Sequence, residues 1–236
     1  MKNRNNSLLI LVILCFSLVF TSGCAVDEVK LADAGKAKIR IINASPDESI
    51  INVTINDTLR TPSPLKFSQN TAYQSVAAGN RLVSTTAEKI ISNNANLNFL
   101  FKNDKRYSVF IAGKIAKDSL IYITLEDNFL GATDTTARVR FLNASPNSTN
   151  LEATFSTNLR DSLTNLSSTA FRSSTLYQTF KPGNYTIKVR ANRNTGNLAV
   201  GANFNIVAGK YYTIWMKGLK NEIGVYALSP VLLMDN

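Results

Sequence analysis

The chain has 236 residues, 44% of them hydrophobic and 18% charged, too apolar for disorder and too polar for a multi-span membrane protein. It carries a net charge of +10, no histidine and two cysteines, Cys15 and Cys24. Those absences exclude Ser-His-Asp and Cys-His catalysis, Cys/His zinc sites, histidine-ligated haem and a disulfide scaffold.

At the N-terminus Lys2 and Arg4 precede an apolar run, Leu8–Phe20. A helix needs about 20 apolar residues to cross a bilayer, so this run is too short for a stable span. A charged head, a short apolar stretch and the small residues Thr21, Ser22 and Gly23 form the layout of a secretory signal. Followed by Cys24, the segment resembles a bacterial lipoprotein signal, although Thr21 stands where a leucine is usual. The resemblance implies cleavage between Gly23 and Cys24, a lipid anchor on the Cys24 sulfur and the membrane as a partner through that lipid. Ala25 then implies outer-membrane delivery, and Asp27-Glu28 is similar to the acidic export tag of surface lipoproteins. Residues 1–23 are the expected signal peptide and 24–35 a tether.

Beyond the tether the chain alternates with period two. Ile39 and Ile41 alternate with Lys38 and Arg40, then Ile51, Val53 and Ile55 with Asn52 and Thr54. That pattern predicts strands with one buried and one wet face. Asn56-Asp57 supplies a turn, Pro62 and Pro64 exclude a central strand, and Ala78-Gly79-Asn80 turns again. Further strands are expected at 81–87, 96–102, 106–113 and 119–125, then at 137–143, 151–156, 174–180, 184–191, 198–207, 211–218 and 222–229. No segment keeps a 3.6-residue period between caps, so helices should be minor.

The second group of strands repeats the first. Residues 37–47 read AKIRIINASPD and residues 137–147 ARVRFLNASPN, identical at Ala, Arg, Asn, Ala, Ser and Pro. Ala78-Gly79-Asn80 is matched by Pro182-Gly183-Asn184, and Lys105-Arg106-Tyr107 by Lys210-Tyr211-Tyr212. A period near one domain length, filled with short strands and turns, predicts an all-β fold. The expectation is two tandem immunoglobulin/transthyretin-like β-sandwich domains, 36–133 and 134–236.

The Asn-Ala-Ser-Pro strand end, the later Gly-Asn turn and the final Lys-x-Tyr strand resemble the domain-of-unknown-function family 4397. Its members are extracytoplasmic bacterial domains, often in tandem and often on lipoproteins. Many place a histidine where this chain has Asn43 and Asn143. The resemblance implies fold and compartment and no chemistry. In physical terms the motif reads as a structural turn. Pro46 and Pro146 hold the preceding residue extended, while Asn43, Ser45, Asn143 and Ser145 satisfy the freed backbone groups.

No catalytic, metal or cofactor site emerges. Ser63-x-x-Lys66 lies in a proline-rich extended segment, whereas a Ser-Lys dyad wants a helix. The carboxylate doublets Asp27-Glu28, Asp47-Glu48 and Glu126-Asp127 sit in no calcium loop, and phosphate-cradling glycine motifs are absent. The basic residues, as in Lys38/Arg40, Arg138/Arg140 and Lys188/Arg190, read as the wet face of alternating strands, without the clustering that nucleic acid would want. Asp-Ser/Thr triplets at Asp57, Asp118, Asp134 and Asp161 resemble an O-glycosylation sequence and equally suit turns. The expected function is a non-catalytic, lipid-anchored cell-envelope protein in structure, adhesion or assembly, at the outer membrane with surface exposure, its partners glycans or other envelope proteins. The alternative is a glycan- or small-ligand-binding surface lipoprotein serving uptake or degradation. Solvent-facing Tyr73, Tyr177 or Trp215 grouped on one surface would favour that alternative.

Overall fold

A computed structural model describes residues 35–47, 50–87, 90–114, 120–157, 164–191 and 196–236. Gly23 and Cys24, Glu48, and the Asp118 and Asp161 triplets lie outside the described residues. Ala34–Asn236 form one compact unit. In chain order its first half holds β1 (Lys36–Asn43), β2 (Ile51–Ile55), β3 (Thr58–Leu59), β4 (Gln74–Ala77), β5 (Gly79–Ala87), β6 (Ile90–Phe101), β7 (Arg106–Ala112) and β8 (Ile121–Glu126). The second half holds β9 (Ala137–Asn143), β10 (Leu151–Ser156), β11 (Thr164–Thr169), β12 (Gln178–Phe180), β13 (Gly183–Arg190), β14 (Ala199–Ile206), β15 (Tyr211–Lys217) and β16 (Ser229–Met234). A single 3₁₀ turn, Gly224–Tyr226, is the only helix among the described residues.

Each half folds into the same pair of four-stranded sheets. The orders are β4-β1-β7-β8 and β3-β2-β5-β6 in the first, β12-β9-β15-β16 and β11-β10-β13-β14 in the second. The β1–β7 and β9–β15 pairs are parallel, with Lys38 opposite Arg106 and Arg138 opposite Tyr211; their neighbours in the sheet are antiparallel. Alternation decides the packing. Ile39, Ile41, Ile51, Val53 and Val83 close the core between the two sheets of the first half. Val139, Phe141, Phe155, Ile187 and Ile214 do the same in the second.

A third core lies between the halves, with Ile42, Ala44, Phe110 and Ala112 against Leu142, Ala144, Trp215 and Leu233. The rings of Phe110 and Trp215 meet edge to face at 5.6 Å. The sheets containing β1 and β9 are therefore covered on both faces, which explains why β7 and β15 are buried almost end to end rather than at alternate positions. The result is four stacked layers. Contacts between the halves follow the same order along both inner sheets: Arg40 and Arg140 first, Phe110–Trp215 midway, and Phe67 stacked on Tyr226 at 5.5 Å beyond the Asn43 end. β1 and β9 thus point the same way.

Several sequence expectations shift. β9 and β10 fall on 137–143 and 151–156, and the Asn56-Asp57 turn has positive φ at both residues, 45° and 63°. The strand expected at 222–229 is instead the 3₁₀ turn followed by β16, because Gly224 at φ 64° breaks the extended run. Of 174–180 only Gln178–Phe180 is strand; Ser174 makes a lone bridge to Leu142. The edge strands β4 and β11 were not expected, their QSVA and TNLSST sequences being short or polar. Arg40 and Arg140 correct the wet-face reading outright: they are only 3% and 4% exposed.

Candidate functional site: a reciprocal arginine–aspartate ring

The strongest concentration of buried charge lies between the halves. Arg40 on β1 pairs with Asp235, just past β16 of the other half. Arg140 on β9 pairs with Asp127, just past β8 of the first half. Each guanidinium is used the same way. Arg40 Nε donates to Ser108 Oγ (2.7 Å) and Nη1 to the Met234 carbonyl (2.7 Å). Arg140 Nε donates to Thr213 Oγ1 (2.8 Å) and Nη1 to the Glu126 carbonyl (3.1 Å). Ser108 Oγ in turn donates to Asp127 Oδ2 (2.7 Å), and Thr213 Oγ1 to Asp235 Oδ2 (2.8 Å). The six residues close a ring: Arg40, Ser108, Asp127, Arg140, Thr213, Asp235 and back to Arg40.

Two tyrosines lid the ring. Tyr73 OH donates to Asp127 Oδ2 (2.6 Å) and Tyr177 OH to Asp235 Oδ2 (2.7 Å). Their faces carry the arginines, Arg40 at 4.9 Å from the Tyr73 ring centre and Arg140 at 4.6 Å from that of Tyr177. Burial, with Asp127 beside it, pushes the Tyr73 phenol far above its ordinary value. Burial and Asp235 do the same to Tyr177. Burial also moves the Asp127 carboxyl upward, with Arg140 pulling back. Arg140 would be lowered by burial, yet Tyr177, Asp127 and Asp235 hold it above its usual value.

Perturbed titratable groups often mark catalytic clefts. Here both oxygens of each carboxylate and all three nitrogens of each guanidinium already bond protein partners, and two positive charges balance two negative. The arrangement fastens the two halves to each other. An open groove between β8 and Ser174–Tyr177 reaches the ring's edge, with Leu130 and Leu176 exposed at its lips and Arg140 and Tyr177 among its walls. Among the described residues no group of three or more His, Cys, Asp or Glu could hold a metal ion, and no helix is long and apolar enough to cross a membrane.

The expected turn residues take structural places. Asn43 is buried; its Oδ1 accepts the Ser45 N–H (3.0 Å) and its Nδ2 donates to the Leu65 carbonyl (2.9 Å). Asn143 accepts the Ser145 N–H (3.1 Å) and donates to the Thr149 and Thr169 carbonyls (3.0 and 3.1 Å). Ser45 Oγ donates to the Gly113 carbonyl (2.8 Å), while Ser145 Oγ accepts from Ser148 Oγ (2.8 Å). Pro46 is buried and Pro146 half-buried. Trp215 is 1% exposed, and Tyr73 and Tyr177 are half-buried with their hydroxyls engaged, so the three form no surface platform.

Period-two alternation alone makes one face of each inner sheet wet, which hides the ring residues. A usable signal was present: arginine recurs at equivalent positions 40 and 140, tyrosine at 73 and 177, and aspartate after each half's last strand at 127 and 235.

Comparison with known proteins gives three results. No curated protein matches the chain. Among solved structures, a leucine-rich repeat protein from Bacteroides thetaiotaomicron is similar at 8% identity and a TM-score of 0.21, over 77% of this chain and 26% of that one. CBMbc (family CBM26) from Eubacterium rectale Amy13K, solved with maltoheptaose, is similar at 9% identity and a TM-score of 0.26, over 84% of this chain and 95% of that one. Neither likeness carries fold or function at those scores. The family described as Domain of unknown function (DUF4397) matches residues 37–154, from β1 through most of β10, and the chain belongs to that family.

Proposed function

We propose that this chain is a non-catalytic, lipid-anchored protein of the bacterial cell envelope, working in surface structure, adhesion or assembly. The observation that carries the reading is the closed ring: among the described residues the main cluster of buried charge joins the two sandwich halves, with every carboxylate oxygen and guanidinium nitrogen bonded to protein. Each half is read as an immunoglobulin/transthyretin-like sandwich, and the two serve as one stiff body. The leader pattern supports a lipid on Cys24 and residence at the outer membrane. β1 runs for eight residues from Lys36, about 26 Å at 3.3 Å per residue. The Asn43–Pro46 and Asn143–Pro146 turns and the exposed Ile223 and Val225 stand at the C-terminal end of the inner strands β1 and β9. The buried Trp215 and engaged Tyr73 and Tyr177 weigh against a glycan platform.

The test is metabolic labelling with radioactive palmitate in a host that processes lipoproteins. The native chain should carry label in the membrane fraction, and Cys24→Ser should lose both label and membrane retention. An unlabelled native band, or label that survives Cys24→Ser, would refute the anchor.

A further inference from the structure

We infer that the face between the halves is an assembly surface whose second partner is another copy of this chain, formed by exchanging halves across the 128–136 linker. This goes beyond the envelope reading and is independent of the lipid anchor.

Three features carry it. Each half closes its own two-sheet core, so parting them uncovers only the shared face. That face is reciprocal: the first half supplies Arg40, Ser108, Asp127 and Tyr73, and the second supplies Arg140, Thr213, Asp235 and Tyr177 in the same roles. Every ring bond between halves therefore forms equally well whether the second half belongs to the same chain or to a neighbour. The surface that complements Arg40 and Phe110 is the other half of this same sequence, which fixes the partner as a second copy. The only covalent connection is the linker. It is irregular and mostly exposed, held by Arg138 Nε donating to the Gly131 carbonyl (2.9 Å), the Ala132 N–H donating to the Tyr211 hydroxyl oxygen (2.9 Å) and Phe129 against Tyr211.

Nine linker residues reach about 30 Å extended, enough to carry the second half onto a neighbour. Two chains exchanging halves close as a two-fold dimer containing two complete rings. In dilute solution the closed monomer wins, because a short linker gives an effective concentration on the order of millimolar. A local concentration of copies above that value shifts the balance to the exchanged form.

Paired charge reversals test this on the full-length chain. Arg40→Asp sets two carboxylates against each other within one chain, and Asp235→Arg sets two guanidiniums together. Co-expressed with different tags, the two variants satisfy both rings only by exchange, Arg40→Asp of one chain meeting Asp235→Arg of the other. In excess detergent, one-to-one retention well above that of two differently tagged native chains is expected. Retention equal to the native pair, while the double variant carrying both changes in one chain is folded, would overturn the inference. A second variant covers the case in which reversed charges prevent folding. Deleting residues 129–135 leaves two linker residues for a chain reversal between sheets packed about 10 Å apart. It should yield a dimer, and a folded monomer would equally overturn the inference.

Discussion

Arg40 and Arg140 show how a charge becomes structural when its surroundings are symmetric. Removing water from a guanidinium is costly, and each arginine offsets that cost with a carboxylate, a hydroxyl, a carbonyl and a tyrosine face. Removing one member strands its partner without water. Arg40→Ala leaves Asp235 with its Thr213 and Tyr177 donors but without its ion-pair partner, and we expect a loss of roughly 3–5 kcal/mol in unfolding free energy by urea titration. Arg140→Ala should cost about the same, because Asp127 is left equally unpaired; values under ~1 kcal/mol for both would mean the ring contributes little. The tyrosines set the alkaline limit. An unfolded phenol ionises near ~10, while Tyr73 and Tyr177 are held protonated well above that in the fold. Their contribution is complete below that pH and falls as pH rises through it, since the unfolded chain then releases protons that the folded one keeps. Absorbance near the phenolate band should show these two tyrosines ionising only as the protein unfolds, whereas Tyr122, pushed up to about 12 by burial, ionises before them. Phenolate from Tyr73 or Tyr177 in protein that is still folded would contradict the geometry. None of this was legible from alternation alone. Lys38 is exposed and Arg40 two residues on is buried, and only the second inner sheet lying over β1 separates them.

At the scale of single elements, the turns after β1 and β9 rest on one asparagine each. Asn43→Ala removes an acceptor for Ser45 N–H and a donor to the Leu65 carbonyl, both buried, and should cost about 1–3 kcal/mol. Asn43→Asp keeps the acceptor but sets a buried carboxylate oxygen against the Leu65 carbonyl, and should lower the thermal midpoint at least as far as alanine at neutral pH. Gly218 is constrained differently: its φ is +80°, and an added Cβ would overlap the Tyr226 and Ala227 carbonyl oxygens. Gly218→Ala should therefore be among the worst single substitutions of the 218–228 loop, while Gly224→Ala, with positive φ but open space, should cost less. Sequence marked these elements unevenly. β9, β10 and the Asn56-Asp57 turn follow directly from period-two alternation and from residues that tolerate positive φ. β16 was displaced because its Ser-Pro start reads as loop, yet Pro230 sits on an edge strand opposite Met216, where its missing N–H is harmless. β11 was invisible because an edge strand can be polar.

For the whole molecule, the decisive fact is that two near-copies share a third core. Phe110 and Trp215 are essentially inaccessible and lie against each other at the middle of that contact. Phe110→Ala should cost about 3–5 kcal/mol, and it should destabilise strands of both halves, which far-ultraviolet circular dichroism and the fluorescence of the single tryptophan would register as one shared transition. The duplication itself was plain from AKIRIINASPD and ARVRFLNASPN; their mutual burial was not, since a repeat in sequence says nothing about whether copies touch. The apolar runs VFIA and IWM are the physical hint, being too continuous for sheets with one wet face. The most direct measurement is native-state hydrogen exchange, comparing the amides of Ile39–Ile42 and Val109–Ile111 with those of Val139–Leu142 and Ile214–Met216. If the ring and shared core join the halves, both sets open with the same free energy and with the same denaturant dependence. One half exchanging by its own unfolding while the other stays protected would contradict a single fastened body.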